Sequence, residues 1–222
     1  MAGIGVRLNK IFGRNTLTTN MIGFFYSTLV TVAPMFAIII NLVLMEYFLK
    51  FSTLGYAQRE LFSCTILYTF IFSLLTASPF NAVLSRYISD VIYEERYQDI
   101  LPCYHIGMML NIVLSCLVGI PFCLWEHFVG GVSVAYVFAG FWCYISLVFV
   151  FYSMIYLSIC KDYQRIAQYY IVGMLVAFFL SLFLRYICHW GITQSMLAAM
   201  DAGFFLTAVL ENALVKRYFR KN

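Results

Sequence analysis

Two carboxylates, Asp201 and Glu211, stand in the otherwise apolar run 192–215. An ionisable group at membrane depth costs several kcal/mol unless it faces protein or water. Each is therefore a candidate for contact with a cation, a sugar or a coupling proton. At 1.5 Å and 100° per helical residue, Asp201 lies roughly 13 Å into the run and Glu211 about 15 Å further, some 80° around the helix. The two can line one side of a cavity without touching. The plainer alternatives are an interhelical hydrogen bond for Asp201 and an interface-level charge for Glu211. Arg185, near the end of the preceding apolar run, either snorkels to water or pairs with Asp201.

Other chemistry is sparse. Cys103 with His105, and Cys188 with His189, form metal-ligand pairs that are each two ligands short of a closed site, so no metal or other cofactor is expected. Ser133 after Gly131, with His189 downstream, faintly suggests an intramembrane serine protease. The second glycine of such a box is missing, and a dyad needs hydrogen-bond reach, so no enzyme is expected. There is no nucleotide-binding loop. Pro34, Pro79 and Pro121 fall inside apolar runs. There a proline frees a carbonyl and kinks the helix, which shapes a cavity or hinge in transporters or simply adjusts helix shape. Tyr68, Phe70, Phe72, Tyr144, Phe149, Tyr152 and Tyr156 lie in run interiors, where packing is the default reading and a sugar-stacking wall the sharper one.

The elements that position these groups follow from composition. Of 222 residues, 63% are hydrophobic and 11% charged, and mean hydropathy is +0.87. Soluble domains carry about 25% charged residues, and a soluble fold of this length has too little polar surface to cover so apolar a chain. Six apolar runs, 21–49, 61–84, 103–125, 134–159, 166–188 and 192–215, are each long enough to cross a bilayer as a helix. They do not alternate as barrel strands would. The fold class is all-α, a polytopic six-helix membrane bundle. Eleven of the fourteen basic residues lie before the first run, in the second and fourth connections or after the last run. The positive-inside rule then places both termini in the cytoplasm of a multi-pass protein of the inner membrane. Three segments are expected: a basic amphipathic segment over 1–20 lying on the inner leaflet, a six-helix lobe over 21–215, and a basic tail or inter-lobe linker over 216–222. The first run is too long for a cleaved signal. The lipid bilayer is the expected partner, and nucleic acid is not.

Several stretches carry a resemblance. Met1-Ala-Gly-Ile-Gly5 followed by basic 7–14, Thr31-Val-Ala-Pro34, the stretch 85–102 with Ser85-Arg-Tyr-Ile-Ser-Asp90, and 156–165 with Lys161-Asp162-Tyr163 together resemble the Pel exopolysaccharide transporter family (PelG-like). That family is similar to the multidrug/oligosaccharidyl-lipid/polysaccharide flippases. The resemblance implies one lobe of a two-lobe transporter, exporting an amino-sugar-rich exopolysaccharide involved in biofilm formation. It implies as partners a cytoplasmic glycosyltransferase, other Pel-type membrane subunits, and a second six-helix lobe or a parallel homodimer. The chain would be an N-terminal half, a truncated product or a half-transporter. Arg86, Asp90, Glu94 and Arg96 would then form the cytoplasmic loop facing the synthase. An ion-coupled small-molecule antiporter lobe and a non-transporting scaffold for the synthase remain as alternatives.

Overall fold

The computed structural model describes residues 17–94, 96–160 and 162–219. The expected segment over 1–20 lies largely outside them, as do Lys161 and the last three residues of the tail. Six long helices follow in order: α1 (Leu17–Phe48), α2 (Tyr56–Tyr93), α3 (Ile100–Phe128), α4 (Val134–Ile159), α5 (Tyr163–Tyr186) and α6 (Ile192–Phe219). No strand occurs among the described residues. Helices α2 to α6 are each long and apolar enough to cross a bilayer, and α1 contributes a shorter apolar stretch, Val32–Phe48. The chain is an all-α polytopic membrane protein. Large apolar side chains lie exposed on its outside, among them Met109, Leu117, Phe138 and Phe179. Water would penalise such a surface, whereas hydrocarbon accepts it.

Loops 49–55, 129–133 and 187–191 gather at one end of the bundle, here the odd-loop end. The connections 94–99 and 160–162, with the end of α6, form the even-loop end. Helix α1 stops where Lys50 turns left-handed (φ 56°), and Phe51 then folds back onto Phe62 of α2, ring centroids 5.4 Å apart. After α3, Gly131 supplies the positive φ (66°) that turns the chain into α4.

Helices α4 and α6 occupy the centre. Helix α6 packs along α5 and α4, α5 carries α1, and α4 carries α2 and α3. The α5–α6 contact is a close backbone approach. A Cβ on Gly203 would stand 2.7 Å from the carbonyl oxygen of Gly173, and one on Gly173 equally near that of Gly203. Lipid offers no hydrophobic drive between helices, so close van der Waals packing through small residues takes its place. Two large clusters make up most of the buried core among the described residues, with a small third one of Tyr144, Ile145 and Val148 on α4. Met45, Leu49, Phe62, Cys143, Leu147, Met196 and Phe204 close the odd-loop half. Ile88, Ile100, Tyr104, Tyr152, Tyr156, Tyr170 and Val215 fill the even-loop half.

Helices overrun several of the expected run boundaries. The segment 85–102 is not one loop: α2 continues through Arg86 and Asp90 to Tyr93. Leu84, Ile88 and Val91 recur at helical spacing and are buried, so packing carries the helix beyond the apolar run. Only 94–96 and one 3₁₀ turn, Tyr97–Asp99, connect to α3. Pro102 sits in the first turn of α3, where a missing N–H leaves no broken bond. The basic tail likewise begins as helix, with Lys216 and Arg217 in the last turn of α6.

Candidate functional site

Asp201 lies on α6 facing α4, half-buried, and accepts a hydrogen bond from Ser146 Oγ at 2.9 Å. Its nearest partner is thus the neighbouring helix. Arg185 does not pair with it. The guanidinium Nη1 instead donates to the carbonyl of Trp190 at 2.8 Å, tying down the turn between α5 and α6. That carbonyl lies five residues along the chain, whereas Asp201 is engaged within the bundle.

Glu211 is completely buried, and both carboxylate oxygens lack a hydrogen-bond partner among the described residues. It is thus enclosed by the bundle and not a surface charge. It lies within electrostatic reach of Tyr104 on α3 and Tyr170 on α5. Beside it runs a hydrogen-bonded tyrosine cluster. Tyr152 donates to the Tyr104 carbonyl at 3.0 Å, so the proton between Tyr152 and Tyr156, 3.1 Å apart, comes from Tyr156. The Tyr104 hydroxyl meets Ser153 Oγ at 2.8 Å. Gly107 makes room for this arrangement, since a Cβ there would overlap the Tyr152 hydroxyl. Tyr152 and Tyr156 therefore pack and hydrogen-bond within the protein.

Tyr68, Phe72 and Tyr144 belong to a different feature. Towards the odd-loop end, α2, α3 and α4 bound a groove of about 770 Å³. Apolar side chains make most of its wall, seven of them aromatic, and Glu60 on α2 and Glu126 on α3 stand at its mouth. Among the described residues no Lys, Arg or His lines it. Neither Asp201, Glu211 nor Arg185 reaches it. Glu60 and Glu126 carry no signal in the sequence beyond their place at the ends of apolar runs. A smaller cleft of about 590 Å³ opens between α2 and α3 towards the even-loop end, with Pro79 and Asp99 in its lining. Helices α1, α2 and α3 run unbroken through Pro34, Pro79 and Pro121.

At the even-loop end Arg86 and Asp90 are exposed on α2, while Arg96 pairs with Glu94 and with Asp99, the latter at 3.7 Å. Exposed pairs of this kind add little stability. Asp162 opens α5, where its carboxylate meets Arg165 Nε at 3.2 Å and accepts from Tyr218 of α6. Beside it, burial and then the Asp162 charge push the Cys160 thiol up to about 11. His105 Nδ1 pairs with the Leu101 carbonyl at 2.9 Å, and no cluster able to hold a metal occurs among the described residues. Ser133 precedes α4, His189 is an exposed turn residue, and no hydrogen bond joins them among the described residues.

A helical bundle with an apolar exterior, a close glycine crossing and buried ionisable groups defines a polytopic membrane protein. The family model PelG, "Putative exopolysaccharide Exporter (EPS-E)", matches residues 1–222. The chain belongs to this exopolysaccharide exporter family. No curated protein and no solved structure matches it.

Proposed function

We propose that the bundle is one six-helix lobe of an exporter that moves exopolysaccharide across the cytoplasmic membrane. A second lobe, or a parallel copy of the chain, would supply the other wall of the path. Family membership across the whole chain carries this reading. The concentration of basic residues at the even-loop end favours that end, and both termini, in the cytoplasm. Arg86, Asp90, Glu94 and Arg96 would then present a charged surface to a cytoplasmic glycosyltransferase and other Pel-type membrane subunits. The chain performs no covalent catalysis in this reading. Asp201 and Glu211 are the groups for substrate contact or proton coupling, because a carboxylate kept within a membrane bundle costs stability unless function needs it.

The test joins assembly to activity. The native complex extracted in mild detergent should have at least twice the 25.6 kDa of the chain and contain the glycosyltransferase. Asp201→Asn, which keeps an acceptor for Ser146, should assemble normally and lose polymer export. A lone monomer, together with full export by the Asp201→Asn and Glu211→Gln variants, would overturn the lobe reading in favour of a scaffold.

A further inference from the structure

The groove between α2, α3 and α4 is chemically unlike the buried carboxylates of α6, and its shape selects an occupant. From Glu60 to Phe72 the α2 wall extends about 18 Å at 1.5 Å per residue, slightly more than half the roughly 30 Å hydrocarbon thickness. The groove therefore reaches from the membrane surface to about mid-depth, the span of one leaflet. It is open sideways: Tyr68, Phe122 and Val118 remain 47%, 37% and 40% exposed on its walls.

Four of the six hydroxyls on the wall, all but those of Tyr56 and Tyr68, are already engaged. Thr65 donates to the Leu61 carbonyl at 2.7 Å, and Thr69 to the Thr65 carbonyl at 2.6 Å. Tyr136 donates to Thr65 Oγ1 at 3.2 Å, and Tyr144 shares a 2.8 Å bond with Thr76. Away from its two carboxylates the groove thus offers mainly ring faces and methyl groups, with few free donors and acceptors. A sugar, which must replace several hydrogen bonds to water, finds few partners along this wall. An acyl chain needs none.

Charge marks the other end of the occupant. Glu60 and Glu126 flank the mouth, Tyr56 and Tyr136 add aromatic faces there, and among the described residues no cationic side chain lines the groove. Carboxylates beside aromatic rings attract an ammonium group by ion pairing and by cation–π contact.

We propose that this groove binds a membrane lipid with a primary ammonium headgroup, its acyl chain along the aromatic wall and its ammonium held by Glu60 and Glu126. The leaflet is that of the odd-loop end, the outer one under the orientation proposed above. Gly140 makes a useful probe, because a Cβ there would meet only Thr65 Cγ2, at 3.6 Å, so the position faces free space.

The experiment is native mass spectrometry of the full chain in detergent doped with equal amounts of dioleoyl phosphatidylethanolamine and dioleoyl phosphatidylglycerol. The expected result is one retained phosphatidylethanolamine, preferred by about tenfold, as one charge-assisted bond allows. Glu60→Gln with Glu126→Gln should erase the preference while leaving the apolar chain bound. Gly140→Leu should remove both lipids without lowering the unfolding temperature. Equal retention of the two lipids by the wild type, or a preference unchanged in the double Gln variant, overturns the proposal. So does displacement of the lipid by a soluble glucosamine oligomer, which would assign the groove to sugar. If Gly140→Leu does not fold, the surface Gln pair alone decides. Binding is read without any export step, so failure of the exporter reading leaves this result standing. Labelling of exposed Cys188 by an impermeant maleimide from outside the cell tests the leaflet separately.

Discussion

The Gly173–Gly203 crossing makes a prediction whose sign can be worked out from distances. In Gly203→Ala the new Cβ would lie 2.7 Å from the Gly173 carbonyl oxygen and 2.8 Å from Ala177 Cβ. Carbon–oxygen contacts settle near about 3.3–3.6 Å and carbon–carbon contacts near about 3.5–4.0 Å. Helices α5 and α6 must therefore part by more than about half an ångström. The obstacles are a main-chain carbonyl and a methyl group, and neither can rotate away. Overpacking of this kind costs about 1–3 kcal/mol, offset by up to ~1 kcal/mol because Ala favours a helix over Gly. The net expectation is a loss of about 1–2 kcal/mol. Gly140→Ala, also in a helix but with only Thr65 Cγ2 in contact at 3.6 Å, keeps the helix gain without the clash and should stabilise slightly. Thermal unfolding in detergent, followed by a thiol-reactive dye in a background that keeps only the fully buried Cys143 of the seven cysteines, compares the two. If Gly203→Ala unfolds at or above the wild-type temperature, the close crossing does not govern the α5–α6 interface.

Three further outcomes follow from single residues. Glu211→Leu removes two buried oxygens without partners; it should raise stability by about 1–3 kcal/mol yet abolish export, and unfolding and polymer-secretion assays on one preparation show whether both occur. Tyr156→Phe deletes the donor to Tyr152 and should cost about 1 kcal/mol, whereas Tyr68→Phe, in the groove wall, should leave the unfolding temperature unchanged. Cys160, with its thiol pushed up to about 11, should react with maleimide far more slowly than exposed Cys188 at pH 8. Its rate should climb about tenfold per pH unit as the thiolate fraction grows, levelling near pH 11, and Asp162→Asn should bring that plateau to lower pH.

How much of this was legible in the sequence depends on the range of the interaction. Each apolar run is decided residue by residue through transfer from water to hydrocarbon, and a backbone in lipid must satisfy its own hydrogen bonds. Membrane character and six helices therefore follow from composition and run length alone. The resemblance carried by 1–14, 85–102 and 156–165 likewise led to the exporter family that matches the whole chain. Hydropathy averages over a window, however, and does not register two buried residues at helical spacing. Ile88 and Val91 therefore carry α2 well past the apolar run.

Facing is another matter, because it depends on how each helix is rotated against its neighbours. Tyr144 and Tyr152 are the same residue type in one apolar helix, yet one lines an open groove and the other is buried in a hydrogen-bonded cluster. The reason for Gly107 lies on another helix, in the Tyr152 hydroxyl that occupies its missing side chain. Arg185 meets the nearby Trp190 carbonyl while Ser146 holds Asp201, a choice no spacing along the chain dictates. Glu60 and Glu126, far apart in sequence, meet at one mouth only because α2 and α3 both pack on α4. The sequence by itself determined what the chain dissolves in and how many long helices it forms, since those are sums over local transfer energies. The tertiary structure alone decided which polar groups share a cavity, since that is a matter of helix rotation and side-chain volume.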